Sequence, residues 1–124
     1  MTTTDDTRTL FAQAGLDLDN TDQPFYAELT MTAQDLIDAG RYVRDLAVAL
    51  TRDCERIIAR VDGGHHLNPL GEIQAAGPRL DVAIATREAR AEAWRRMSRM
   101  AAKANARAAA AAGAAATTAQ AGAR

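Results

Sequence analysis

The residue types that could carry chemistry in this sequence are one cysteine, two adjacent histidines and scattered carboxylates. A catalytic thiol needs a base within hydrogen-bond reach. Cys54 falls on the apolar stripe of a predicted helix, whereas His65 and His66 follow the end of that helix. The chain has no nucleophile elbow, phosphate-binding glycine loop or metalloprotease motif. We therefore expect no enzyme, no small-molecule substrate and no cofactor, and we interpret Cys54 as a small buried side chain.

Two short patterns resemble metal sites without matching one. His65 and His66 could share a metal with Asp62 or Glu72, but no spacing typical of zinc ligands is met. Residues 17–20 have the alternating acids of a calcium loop, yet the central glycine and the distal glutamate are missing. We predict solvated turns at both places and no metal site.

One strip of the predicted last helix is basic. Side chains on such a strip can bind phosphate groups of a nucleic acid without reading its bases. The same pattern is typical of a solvated helix face, and bases near a helix C-terminus complement the helix dipole. No helix-turn-helix signature or aromatic stacking platform accompanies it. The basic strip consists of Arg95, Arg96, Arg99, Lys103 and Arg107.

Charge is distributed unevenly along the chain, although the net charge is only −1. Residues 1–40 carry eight acids and one base, whereas residues 79–124 carry nine bases and three acids. We expect the two ends to attract each other, within one molecule or between molecules. Large core side chains are few, with two Phe, two Tyr and one Trp. A monomer built on them would be marginally stable.

The first long helix is predicted from Thr32 to Asp62 by apolar residues that recur every three or four positions. Thr32 and Asp35 resemble a capping box, with Thr30 as the alternative cap. Gly63 and the glycine after it form a strong stop signal. The apolar stripe consists of Leu36, Ala39, Val43, Leu46, Leu50, Cys54, Ile57, Ile58 and Val61.

The second long helix is predicted from Pro78 to Ala106, after a short connecting helix that ends at Ala76. Its apolar arc spans more than half of the circumference, whereas one partner helix covers about a third. The excess width predicts a second contact, made by the N-terminal segment or by another subunit.

The sequence thus predicts an all-α fold, an antiparallel two-helix hairpin of long helices with a short connecting helix. We expect residues 1–24 to form a mostly flexible acidic N-terminal arm, with residues 8–15 as a short helix that stops at Gly15. Residues 25–112 would form the hairpin domain and residues 113–124 a disordered Ala-rich tail. Facing residues across the hairpin would include an ion pair between Asp53 and Arg87.

This pattern favours a non-enzymatic accessory protein that binds another protein and self-associates as a homo-oligomer. Trp and Met are enriched at interfaces, although both are equally ordinary core residues. The alternative is a small nucleic-acid-associated accessory protein, for example of a plasmid or phage, that uses the basic strip. The candidate interface residues are Val82, Ala89, Trp94, Met97 and Met100.

The cellular location is predicted from two absences. The N-terminus is polar and acidic, without the positive and apolar regions of a signal peptide. No apolar run is long enough to span a membrane. We expect a cytoplasmic protein.

Overall fold

The computed structural model describes residues 3–64 and 69–122, and for residues 69–75 it describes the backbone alone. This part of the chain is all-helical, as predicted, and contains no strand. The helices are α1 (Thr3–Gln13), α2 (Tyr26–Asp62) and α3 (Pro69–Gly122). Contacts divide the chain into unit 1, Met1–Gln34 with Glu92–Arg124, and unit 2, Asp35–Ala91. Both long helices contribute residues to both units.

Helix α1 ends at a glycine, as the sequence predicts. Gly15 has a φ of 72°, which is the left-handed region that favours glycine. The Gly15 N–H donates to the Ala12 carbonyl at 3.0 Å, and the Leu16 N–H donates to the Phe11 carbonyl at 2.8 Å. These two bonds form a Schellman motif and satisfy carbonyls that the helix end would otherwise leave unpaired. Residues 3–7, expected to be disordered, instead form the first turns of α1.

The core of unit 1 forms around Phe11, whose side chain is fully buried. Its ring centroid lies 5.5 Å from that of Trp94 and 6.4 Å from that of Tyr26, the second contact being edge-on. Aromatic pairs at these separations are favourable beyond the area that they bury. Leu16, Leu29, Ala33 and Ala101 complete the core. The burial of Phe11 explains why the acidic N-terminal residues are helical, since α1 carries this side chain.

The loop between α1 and α2 is fixed by polar contacts within unit 1. The buried Gln23 amide donates to the Asp17 carbonyl at 2.6 Å and accepts from the Asn105 amide at 3.2 Å. Arg8 donates two hydrogen bonds to the Asp19 carboxylate, at 3.0 and 3.1 Å, and these hold the pKa of Asp19 below its ordinary value. The loop therefore packs against α1 and α3.

Helix α2 begins at Tyr26, six positions before the predicted start at Thr32. The capping roles predicted for Thr30 and Thr32 are wrong, because their hydroxyls donate back to the carbonyls of Ala27 and Glu28 in the preceding turn. The predicted stop is correct: α2 ends at Asp62, and Gly64 has a φ of 74°.

Helix α3 is longer at both ends than the sequence predicts. It runs through Pro78, so the predicted break between a short connecting helix and the last helix is wrong. Proline removes one helix hydrogen bond, and the helix-favouring residues on both sides outweigh that loss here. Residues 113–122, predicted to be a disordered tail, continue α3 to Gly122 because alanine has the highest helix propensity.

Contacts within unit 2 place Arg87 beside Gly40, not beside Asp53. A Cβ built on Gly40 would lie 3.6 Å from the Arg87 Nε, and Arg90 pairs with Asp35 at 3.9 Å. Asp53 pairs with Arg56 of its own helix. Asp53 lies about 20 Å further along α2 than Gly40, at ~1.5 Å per residue. The predicted Asp53–Arg87 ion pair is therefore wrong.

Replacing the central ring tests the core of unit 1. We expect Phe11→Ala to lower the free energy of unfolding by about 3–5 kcal/mol, because a fully buried aromatic side chain leaves a cavity. Phe25→Ala is the matched control, since Phe25 is exposed. Chemical denaturation followed by circular dichroism measures both changes. Equal losses in the two variants would contradict the assigned core.

Candidate functional site

Unit 2 leaves several of its large apolar side chains exposed and buries others only in part. Among its described residues only Ala83 is buried, at 3% exposure, whereas Val82 is 67% exposed and Ile58 is 60% exposed. The exposed large apolar side chains of unit 2 are Tyr42, Val48, Ile58, Val61, Val82 and Ile84.

An open groove of about 360 Å³ forms part of this apolar surface. Tyr42 and Ala39 line it from α2, and Val82 and Ala83 line it from α3. The Thr86 hydroxyl donates to the Val82 carbonyl at 2.9 Å, which satisfies its donor within α3. The groove therefore suits an apolar side chain of a partner. Its remaining lining residues are Pro78 and Arg79.

The covered stripe of α2 differs from the prediction in its C-terminal half. The half-buried positions there are Leu46, Leu50, Asp53 and Ile57. Cys54 is exposed, so its interpretation as a buried side chain is wrong. Because successive helix residues point about 100° apart, a residue next to a covered position lies beside the stripe and not on it. Ile58 and Val61, which the sequence pattern places on the predicted apolar stripe, are also exposed.

The five candidate interface residues are divided between the two units. Val82 and Ala89 belong to unit 2, and both are exposed. Met97 is half-buried and Met100 is exposed, both in unit 1. Trp94, only 7% exposed, packs against Phe11 and serves the core of unit 1.

Two arginines of the basic strip are bound to an acid of the same helix. Arg95 donates to one Glu92 oxygen at 2.9 and 3.0 Å, and Arg96 donates to the other at 3.1 Å. Such pairs at spacings of three and four are ordinary on a helix surface. The hydrogen bond from Arg95, helped by Arg96 and opposed by burial, holds the pKa of Glu92 below its ordinary value. Glu92 thus offsets part of the strip's positive charge.

The rest of the basic strip is exposed. The Arg99 Nε donates to the Arg95 carbonyl at 3.1 Å, so this side chain lies along its own helix. Lys103 and Arg107 are exposed, and no ion pair is found for them within the described residues. These two side chains are the part of the strip that is best placed to meet phosphate.

Neither a metal site nor a membrane span emerges from the described part of the chain. It holds no group of three or more His, Cys, Asp or Glu side chains placed to bind a metal ion. His65 and His66 lie outside the described residues, as does the turn predicted there. None of the described helices combines the length and apolarity needed to cross a bilayer.

Comparisons with known proteins give no match at the level of family models, curated proteins or solved structures.

The ion pairs of Glu92 predict how acid affects stability. We expect Glu92→Gln to lower the melting temperature slightly at neutral pH. The contribution of Glu92 is complete above the ordinary pKa of a glutamate and is lost as the pH falls through its lowered pKa. The difference between wild type and variant should therefore shrink in acid.

Thermal melts of both proteins at several pH values measure this difference. Glu88→Gln is the matched control, because Glu88 is more exposed and its contact with Arg87 is longer, at 3.5 Å. A wild-type advantage that persists undiminished in strong acid would show that Glu92 stabilises the helix by other means.

Proposed function

We propose that this chain is a non-enzymatic accessory protein that acts by binding protein surfaces, first of all a second copy of itself. The observation that carries the proposal is the exposure of unit 2, in which Ala83 is the only buried side chain among the described residues. Fully burying one large aliphatic side chain contributes roughly 1.5–3 kcal/mol. Several such side chains remain in solvent here, so burying them in an interface would add stabilisation that the fold alone does not provide.

We further propose that the two long helices pair as an antiparallel hairpin within unit 2. Its contacts support this arrangement, because Asp35 pairs with Arg90, Gly40 adjoins Arg87, and Tyr42 shares the groove with Val82. Positions rise along α2 as they fall along α3. A two-helix layer has one apolar seam, and a second layer is needed to cover it.

The absence of catalysis is part of the same proposal. It is supported by the sequence, which lacks nucleophile and phosphate-binding motifs. A binding role requires none of these motifs.

Sedimentation equilibrium of the full chain tests self-association. We expect a mass above that of the 13.2 kDa chain, rising with protein concentration and persisting in high salt, because burial of apolar surface is not screened by ions. An assembly held by the acidic and basic ends would instead dissociate in high salt. A mass of 13.2 kDa at every concentration would refute self-association.

The alternative function is binding of nucleic-acid phosphates by the basic strip. Exposure of Lys103 and Arg107 without an ion pair among the described residues favours it. The Glu92 pairs oppose it, because they occupy Arg95 and Arg96. We therefore rank it second.

A labelled DNA duplex and fluorescence anisotropy distinguish the two functions. The leading proposal predicts no binding at physiological salt. The alternative predicts binding that falls steeply with salt and weakens in a Lys103→Ala, Arg107→Ala double variant. Arg60→Ala is the matched control, since this exposed arginine lies on α2 and outside the strip.

A further inference from the structure

Helix α2 carries a second apolar stripe that the described part of the chain leaves uncovered. The inner stripe of half-buried residues is Leu46, Leu50, Asp53 and Ile57. The residues that follow each of these positions by one recur at alternating intervals of four and three. This is the heptad spacing of coiled coils. Every member of this series is exposed. We define this outer stripe as Ala47, Thr51, Cys54, Ile58 and Val61.

The outer stripe lies about 100° around α2 from the inner one, since 3.6 residues make one turn. Side chains on the inner stripe are half buried, whereas Ile58 and Val61 are both 60% exposed. A helix with two heptad stripes side by side can contact two partner helices. One of these contacts is not made within the described part of this chain.

We propose that the outer stripe binds the same stripe of a second copy, antiparallel, about a two-fold axis between residues 52 and 53. This inference rests on the self-association proposed above and names its surface. The arrangement is isologous, as in most homodimers. Ala47 then faces Ile58 of the second copy, and Thr51 faces Cys54. Each of these two layers pairs a small side chain with an equal or larger one, which allows close helix packing. Val61 lies at the end of the stripe, level with Arg44 of the second copy.

Charge complementarity selects the antiparallel direction. Arg44 precedes the outer stripe and Asp62 follows it, on the same side of α2, and both are exposed. In the antiparallel pair Arg44 lies near Asp62 of the second copy. Two-fold symmetry makes this contact twice. A parallel pair would instead set like charges level with each other, which is destabilising.

The overall charge of unit 2 also permits the contact with a second copy. Its residues carry nine acids and eight bases, so two copies of this unit approach without strong repulsion. The outer stripe spans about 21 Å at ~1.5 Å per residue. This is short for an interface that buries about 800 Å² on each partner. We therefore expect a dimer whose population depends on protein concentration.

Cysteine cross-linking in full-length chains tests the direction and register. In a Cys54→Ser background, one chain carries Ala47→Cys and another carries Ile58→Cys. The two are mixed, oxidised and analysed on a non-reducing gel and by mass spectrometry. Disulfides form only where Cα atoms lie within about 7 Å. We expect a cross-linked heterodimer of the two chains and little cross-linking of either chain alone.

Ala49→Cys in the same background is the matched control, since Ala49 is exposed on the side of α2 away from the outer stripe. Cross-linking of Ala47→Cys chains with themselves would overturn the antiparallel direction. A dimeric mass without a link between positions 47 and 58 would overturn the outer stripe while leaving self-association in place. A monomeric mass at all concentrations would overturn both.

A charge placed on the outer stripe provides an independent measurement. We expect Ile58→Asp to shift sedimentation toward the 13.2 kDa monomer, because the new carboxylate would be desolvated in the interface. Ala49→Asp should leave the mass unchanged. Circular dichroism of both variants should show wild-type helicity, which separates lost association from lost folding. An unchanged mass for Ile58→Asp would contradict the proposal.

Discussion

The packing of Phe11 against Trp94 is the interaction on which unit 1 depends. These rings come from α1 and α3, which are distant in sequence, and Tyr26 of α2 adds an edge contact. Since the chain has only five aromatic side chains, three of them meet at one place. The acidic N-terminal segment is held by this cluster, and the Gln23 contacts with Asp17 and Asn105 fix the loop that follows.

Unit 2 differs from unit 1, because among its described residues only Ala83 is fully buried. Leu46, Leu50 and Ile57 are half-buried, whereas other large aliphatic side chains of this unit face solvent. Hydrophobic stabilisation scales with the apolar area removed from water, so this unit gains little from its own fold. The exposed apolar side chains of unit 2 are the basis of the proposed self-association.

The arginines illustrate how charge patterns in a sequence can mislead. A strip of five bases on one helix face predicts a field that attracts phosphate. In the structure, Arg95 and Arg96 donate hydrogen bonds to Glu92, and Arg99 lies along the helix backbone. Glu92 was visible in the sequence at the spacings of three and four that allow these pairs. Counting that acid with the strip leaves Lys103 and Arg107 as its unopposed part.

The sequence by itself determined the helical class, the stop of α1 at Gly15 and the end of α2 at Asp62, because periodicity and glycine conformation are local properties. Only the tertiary structure decided that the residues before Phe11 are helical and that Trp94 is a core residue, since both depend on contacts between distant segments. It also decided the position of Arg87 beside Gly40 and the exposure of Cys54. A pattern of apolar residues gives the period of a helix, but two stripes one residue apart have the same period. Which of them is covered depends on the partner helix, and that is a property of the packed chain.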